Sequence, residues 1–212
     1  MKKKAIAVVA GACALGMLLG GCGGSGDASN ADGNVITAFN SEPQNALIPG
    51  DTNETGGGKV GQLLFANLVR YDSKGDTQME VAESIEPNDD ATQYTVKLKD
   101  GWKFTDGTPV TAESFTKSWS YTANAKNAQK CSSFFSMIKG YDDLQKDGLK
   151  GDEQLSGLKV VDDKTFTVDL TQPDSVFPIK VGYLAFAPLP ESFYKDPKAL
   201  GEKPVGNGMY LS

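Results

Sequence analysis

The stretch from Val96 to Phe115 reads VKLKDGWKFTDGTPVTAESF, and it sets the predictions for the rest of the chain. Apolar and polar side chains alternate at its beginning, which is typical of a half-buried β-strand. Asp100-Gly101 is a strong turn signal, and alternation resumes at Trp102-Lys103-Phe104, so we expect the two runs to pair as a hairpin with both aromatic rings buried. A further turn is predicted at Asp106-Gly107, where glycine supplies a left-handed position.

A helix is predicted directly after this second turn. Thr111 is placed as its N-cap, and Ser114 stands at the position where a capping box prefers glutamate. Phe115 and Trp119 are four residues apart, so they face the same side of the helix, and Thr122 continues that stripe. We expect this stripe to be buried against the strands.

Further elements are predicted on both sides of this stretch. A short β-branched run at Val35–Phe39 predicts a first strand, and apolar residues at helical spacing predict a helix over Lys59–Arg70. Downstream, Leu158–Val161 and Thr165–Leu170 flank the turn Asp162-Asp163-Lys164 and predict a second hairpin. Strands and helices without strict βαβ alternation indicate an α/β architecture with inserted hairpins.

The amino terminus has the layout of a secretory signal. Three lysines, Lys2 to Lys4, precede an uncharged run of roughly 15 residues. A membrane-spanning helix needs about 20 apolar residues, so this run is too short to be one. The run ends in Leu19-Gly20-Gly21-Cys22, which matches the bacterial lipobox. Cleavage would fall before Cys22, and acyl chains on its thiol would anchor the mature protein. An ordinary signal peptide with an accidental cysteine is the alternative.

The predicted division of the chain follows from this amino terminus. Residues 1–21 form the signal peptide, residues 22–34 form a lipidated cysteine with a flexible Gly/Ser-rich tether, and residues 35–212 form the folded part. Without the signal the chain has 18 basic and 27 acidic residues, a net charge of −9. This charge argues against a nucleic-acid partner. We expect an extracytoplasmic monomer that is lipid-anchored to the cell membrane.

The composition excludes most catalytic and metal sites. The chain has no histidine, which removes Ser-His-Asp and Cys-His sites and the usual zinc sites. Without a histidine to activate it, we expect Cys131 to be a buried structural thiol. Residues 143–154 are spaced like a calcium loop, but Gln154 stands where a bidentate glutamate is needed, so we expect no metal or other cofactor. Paired carboxylates alone can run a glycosidase, which leaves a secreted acidic hydrolase as a distant alternative.

The Val96–Phe115 stretch closely resembles the signature of one family, the extracellular solute-binding proteins (family 5) of peptide, oligopeptide and nickel ABC importers. The family pattern L-x-x-G-x-x-F-x-D-G-x-P-[VL]-T-A-x-D-[VF] is met at every position except its late acidic residue, where Ser114 stands. Further segments resemble the family in the same order: Leu64–Asp72, Val81–Ile85, Val160–Val168 and Pro204–Tyr210. The resemblance therefore covers almost all of the predicted folded part.

This resemblance implies a fold and a function. Family members close two lobes on a ligand, and this chain resembles the first lobe of a class II, peptide-binding type of periplasmic-binding-protein-like fold. We expect an inserted β-hairpin subdomain at roughly 72–158, no second lobe, and therefore a truncated chain with unpaired sheet edges. The implied function is a receptor, not an enzyme, that binds peptides or another small solute and docks on ABC permease subunits. A non-functional or split fragment of such a receptor is the alternative.

Three places in the chain are candidates for ligand contact. The resemblance places the loop Asn53-Glu54-Thr55 where relatives present backbone and polar groups to an extended ligand. A plain turn is the alternative for this loop. Phe134 and Phe135 are candidates for lining the cleft, or else core residues. Asn207 lies where the resemblance places the crossover between lobes, so it is a candidate for a hydrogen bond to the ligand or for a turn residue.

Overall fold

The computed structural model describes residues 39–210 of the chain. The helices are α1 (Thr55–Leu64), α2 (Ala112–Ala123), α3 (Phe177–Lys180) and α4 (Pro197–Glu202). The strands are β1 (Val69–Tyr71), β2 (Thr77–Met79), β3 (Ala82–Pro87), β4 (Gln93–Leu98), β5 (Leu158–Asp162) and β6 (Thr165–Asp169). The strand predicted over Val35–Phe39 falls outside the described residues, except for Phe39, which belongs to no strand.

Four of the strands form an antiparallel sheet in the order β3-β4-β6-β5, and β1 and β2 form a separate hairpin. Val96 is paired with Ile85 on one side and with Phe166 on the other, and all three side chains are buried. Since side chains alternate between the two faces of a strand, one face of the sheet is apolar and the other carries polar residues such as Lys97. The strand predicted at the beginning of the Val96–Phe115 stretch and the predicted β5–β6 hairpin are confirmed.

The hairpin predicted between β4 and Trp102–Phe104 is wrong. Both edges of β4 are hydrogen-bonded, one to β3 and one to β6, so no edge remains for the residues that follow it. The chain leaves the sheet at Gly101, whose φ of +87° is a left-handed conformation. Lys103 pairs instead with Pro109, across the turn at Asp106-Gly107, where Gly107 has a φ of +86° as predicted. Phe104 is buried, whereas Trp102 is only half-buried.

Helix α2 packs its aromatic stripe onto the apolar face of the sheet. The Oγ1 of Thr111 accepts from the N–H of Ser114 at 3.4 Å, and the Ser114 hydroxyl accepts from the N–H of Thr111 at 3.2 Å. Serine therefore completes the capping box in place of glutamate. Phe115 and Trp119 are fully buried and Thr122 is 1% exposed, which confirms the predicted stripe.

The helix predicted over Lys59–Arg70 begins and ends earlier than expected. Glu54 caps α1 at its amino end, and the backbone becomes extended at Phe65, with φ −125° and ψ 136°. Leu68 is fully buried in the non-helical segment that leads into β1. An apolar run that enters a core as extended chain satisfies the same burial as a helix, so its spacing alone does not separate the two.

Two apolar clusters and one exposed strand complete the fold. The larger cluster lies between the sheet and α2, and a smaller one packs α1 against residues 184–193. Strand β5 is an outer strand within residues 39–210, and Val160 and Val161 on it are 49% and 64% exposed. Over the same residues, no helix has the length and apolar character needed to cross a membrane.

Candidate functional site

The turn Asn53-Glu54-Thr55 forms the amino end of α1. The Glu54 carboxylate accepts from the N–H of Gly57 at 2.8 Å and from the N–H of Gln44 at 3.3 Å, so this side chain caps the helix. Asn53 and Thr55 on either side are exposed. The Oδ1 of Asn53 accepts from the side-chain amide of Asn45 at 3.4 Å. The turn therefore presents polar groups to solvent from a fixed position at the end of a helix.

The residues just before this turn form hydrogen bonds and an ion pair with the segment that begins at Lys130. The N–H of Cys131 donates to the carbonyl of Gly50 at 2.9 Å, and its thiol donates to the carbonyl of Thr52 at 3.8 Å. Lys130 and Asp51 form an ion pair at 3.0 Å beside them. Burial raises the pKa of the Cys131 thiol to about 11, so the thiol stays protonated at neutral pH and is a poor nucleophile. The prediction of a buried structural thiol is confirmed.

A groove of about 500 Å³ opens beyond Cys131. Phe134 and Tyr183 meet there as a T-shaped pair, with ring centroids 4.9 Å apart and planes at 79°. The Tyr71 hydroxyl donates to the carbonyl of Ile179 at 2.7 Å and joins the two walls. The groove is lined by Tyr71, Ser133, Phe134, Ser136, Met137, Ile179, Lys180, Tyr183 and Phe186.

The two adjacent phenylalanines predicted for the cleft lie in different surroundings. Phe134 is 42% exposed in the groove, whereas Phe135 is fully buried. The Phe135 ring packs against Trp119 and Phe186, with centroids at 6.2 Å and 4.6 Å. The structure therefore places Phe134 at the surface, in the groove, and Phe135 in the core.

The charged groups of the groove are neutralised. Lys180 lies 2.5 Å from Asp174, whose side chain is only 11% exposed. Burial raises the pKa values of both Tyr71 and Tyr183, so both phenols are uncharged at neutral pH. Within residues 39–210, the groove lining is therefore mainly aromatic and aliphatic, with Ser133 and Ser136 as uncharged polar residues, and it carries no uncompensated charge.

Asn207 lies at the other end of α1 from the turn. Its side chain is 3% exposed, and its Oδ1 accepts from the N–H of Ala66 at 2.9 Å while its Nδ2 donates to the Ala66 carbonyl at 3.0 Å. A ten-residue helix rises about 15 Å, which separates Asn207 from Glu54. The structure thus brings the 53–55 turn and Phe134 to neighbouring segments, and it bonds Asn207 to backbone at the opposite end of α1 from the turn.

Several lining residues were not predicted from the sequence. Tyr71, Ile179 and Tyr183 are apolar or aromatic residues in runs that suggest burial, yet they are 42%, 50% and 39% exposed. The four-residue spacing of Ile179 and Tyr183 would place both on one side of a helix, but α3 ends at Lys180 and Tyr183 is extended. Nothing in that spacing tells an exposed side from a buried one.

The architecture is one lobe of a class II, periplasmic-binding-protein-like α/β fold, as comparison with solved structures shows. The model of the bacterial extracellular solute-binding proteins, family 5 Middle, matches residues 76–211. The chain belongs to this family.

Individual relatives agree with this assignment. The chain is 29% identical to the oligopeptide-binding protein OppA of Bacillus subtilis over 206 residues, which are 92% of this chain and 37% of that protein. It is 32% identical to the periplasmic oligopeptide-binding protein OppA of Salmonella typhimurium over 164 residues, 76% of this chain and 30% of that protein. The structure of Haemophilus influenzae OppA in complex with RPPGFSPFR matches with a TM-score of 0.74 and 30% identity, over 81% of this chain and 34% of that one.

These comparisons bear on both the fold and the class of function. The relatives are binding proteins rather than enzymes, and they act outside the cytoplasm. The chain spans about a third of the length of the relatives that it matches.

Proposed function

We propose that this chain carries part of the ligand site of an ABC-importer receptor that takes up peptides. The observation that carries the proposal is the backbone of Asn53: within residues 39–210 neither its N–H nor its C=O has a hydrogen-bond partner, and the residue is exposed. The next residue, Glu54, is extended, with φ −118° and ψ 160°. An extended backbone with unpaired polar groups accepts a peptide by strand-like pairing, which holds peptides of many sequences.

The neighbouring side chains complete this proposed site. Glu54 holds the turn in place by capping α1, Thr55 offers its hydroxyl beside it, and Phe134 opens the apolar groove a few residues beyond the bonded Cys131. Phe135 and Asn207 support these groups from the core and from the far end of α1. Residues 35–212 would form the first lobe, with the subdomain at roughly 72–158 inserted in it. Binding involves no chemical step, and the loaded receptor then docks on the permease.

A proline substitution tests whether the backbone of the turn binds the ligand. Asn53→Pro removes the N–H but adds little bulk, so we expect peptide affinity to fall about 3- to 10-fold, the value of one hydrogen bond. Isothermal titration of the full chain in detergent with tri- to pentapeptides measures this effect. Asn53→Ala is the matched control, because it keeps the backbone and removes only the side-chain amide. Equal affinity in both variants, or no heat with any peptide, contradicts the proposal.

We further propose that lipid on Cys22 holds the receptor at the outer face of the cell membrane. Two or three acyl chains at about 0.8 kcal/mol per buried methylene give durable anchoring. We expect Cys22→Ala to move the protein from the membrane fraction to the soluble fraction of cells that process bacterial lipoproteins. Cys131→Ala is the control and should stay in the membrane fraction, since that thiol is buried in the fold. Membrane retention of the Cys22→Ala protein would argue against lipidation at this residue.

A further inference from the structure

We propose that the groove between Phe134 and Tyr183 receives an apolar, preferably aromatic, side chain of the bound peptide and disfavours a charged one. This inference rests on the proposed peptide-binding function and specifies which peptides the site prefers.

The exposure of the groove residues indicates a surface that a ligand covers. Phe134, Tyr183 and Ile179 are 42%, 39% and 50% exposed, and they lie next to one another around a single concavity. Contiguous exposed apolar surface in a concavity is typical of binding sites, whereas isolated exposed apolar residues are common and carry no such meaning. The volume of about 500 Å³ lies within the range of small-molecule pockets and accommodates a phenylalanine or leucine side chain.

The aromatic pair favours an aromatic occupant. The Phe134 and Tyr183 rings meet at 79°, so each leaves part of a face or an edge open toward the groove. A third ring adds to such a pair in an edge-to-face or offset arrangement, which is the preferred geometry of aromatic contacts. The carbonyl of Ile179 already accepts from the Tyr71 hydroxyl, and this bond joins two further residues of the groove lining.

The charge balance of the groove disfavours an ionised side chain. The ammonium group of Lys180 is paired with Asp174, and the other oxygen of that carboxylate accepts from the N–H of Val176 at 3.1 Å. Each charge at the groove is therefore already compensated within the chain. A glutamate or lysine side chain entering the groove would lose hydration without gaining a charged partner, which is costly.

The groove and the proposed backbone contact lie on segments that are hydrogen-bonded to each other. The carbonyl of Cys131 accepts from the N–H of Phe134 at 3.0 Å, and the N–H of Cys131 is bonded to Gly50, three residues before Asn53. A peptide paired with the turn thus lies against the segment that opens the groove. One of its side chains would enter the groove while its backbone stays on the turn.

A series of pentapeptides on the full chain tests the inference. The host is pentaalanine, and a single Phe, Leu, Glu or Lys is placed at each of the five positions in turn and titrated by calorimetry. At one position we expect Phe to bind at least about 10-fold more tightly than Ala, Leu to bind between them, and Glu and Lys to bind more weakly than Ala.

Variants of the groove locate the preference. Phe134→Ala and Ile179→Ser should each reduce the preference, measured as the ratio of the affinities for the Phe and the Ala peptide, to about 3-fold or less. Both residues are about half exposed, so we expect these variants to fold. Val161→Ala removes an apolar side chain that is 64% exposed on β5, outside the groove, and should keep the full preference.

The possible outcomes separate this inference from the function on which it rests. Peptides that bind equally whatever the guest residue would overturn the inference and leave peptide binding intact. A Phe preference that survives both groove substitutions would also overturn it, because the preferred side chain would then bind elsewhere. Absence of binding by every peptide would overturn the proposed function and the inference together.

Discussion

Replacing Trp119 with alanine is expected to lower the free energy of unfolding by about 3–5 kcal/mol, the largest effect of any single substitution considered for this chain. The indole is fully buried, and its Nε1 donates to the carbonyl of Phe186 at 2.8 Å. Five aromatic rings surround it with centroids 5.3–6.5 Å away: Phe115, Phe135, Phe166, Phe177 and Phe186. Alanine leaves a cavity among these rings and an unpaired buried carbonyl.

Urea denaturation followed by far-ultraviolet circular dichroism measures this loss. Trp102→Ala is the matched control, because Trp102 is the second of the two tryptophans and packs only partly buried against the same core. We expect the control to cost about 1 kcal/mol, in line with an ordinary partly buried site. Since a whole domain is stable by only about 5–15 kcal/mol, Trp119→Ala should remove a large share of the total stability. A loss below 1 kcal/mol would contradict the described packing of α2.

Gly206→Ala is expected to destabilise the chain by about 3 kcal/mol, at the upper end of the cost of overpacking. A Cβ at this position would overlap the backbone carbonyl oxygen of Leu64 and lie 2.8 Å from its carbon. The atoms that it meets belong to backbone at the end of α1, so no side chain can rotate to make room. The Gly206 carbonyl also accepts from the N–H of Thr105 at 2.8 Å, and the next glycine, Gly208, donates to the Leu64 carbonyl at 2.8 Å. Both hydrogen bonds oppose a backbone shift that would make room for the added Cβ.

A second glycine offers a control of opposite sign. Gly58 lies inside α1, and a Cβ added there meets no atom of residues 39–210 within 4 Å. Gly58→Ala should therefore stabilise the chain by about 0.5–1 kcal/mol, because alanine costs less backbone entropy in a helix. Thermal unfolding of the two variants beside the unsubstituted chain gives both values. If Gly206→Ala unfolds at the temperature of the unsubstituted chain, residues 204–208 do not pack on α1 as described.

Short sequence patterns correctly predicted the features that depend only on residues close together in the chain. The cap at Thr111, the left-handed Gly107 and the buried stripe from Phe115 to Thr122 are all present in the structure. Each of these depends on backbone geometry or side-chain spacing within about four residues, so the sequence alone carries the information. The β5–β6 hairpin belongs to the same group, since a two-residue connection brings its strands together.

The predictions were wrong where the structure depends on contacts between residues that lie far apart in the chain. Strand β4 pairs with β6, some 70 residues away, and with β3 on its other edge, and these two partners displaced the expected pairing with Trp102–Phe104. The helix predicted over 59–70 ended early because the backbone becomes extended at Phe65 and Leu68 enters the core beside β1 outside the helix. Which strand pairs with a given strand edge depends on the whole fold. The spacing of residues along the chain does not reveal it.

The candidate site shows the same division at the level of single side chains. The sequence placed the turn at Asn53–Thr55 and two aromatic residues at Phe134 and Phe135, but it did not tell which aromatic ring faces solvent. The tertiary structure decided this, since Trp119 and Phe186 enclose Phe135 while Phe134 meets Tyr183 at the surface.

By itself, the sequence determined the family, the local caps and turns, and the absence of histidine chemistry. Only the folded chain decided which apolar residues stay exposed, because burial is set by every neighbour that packing brings together.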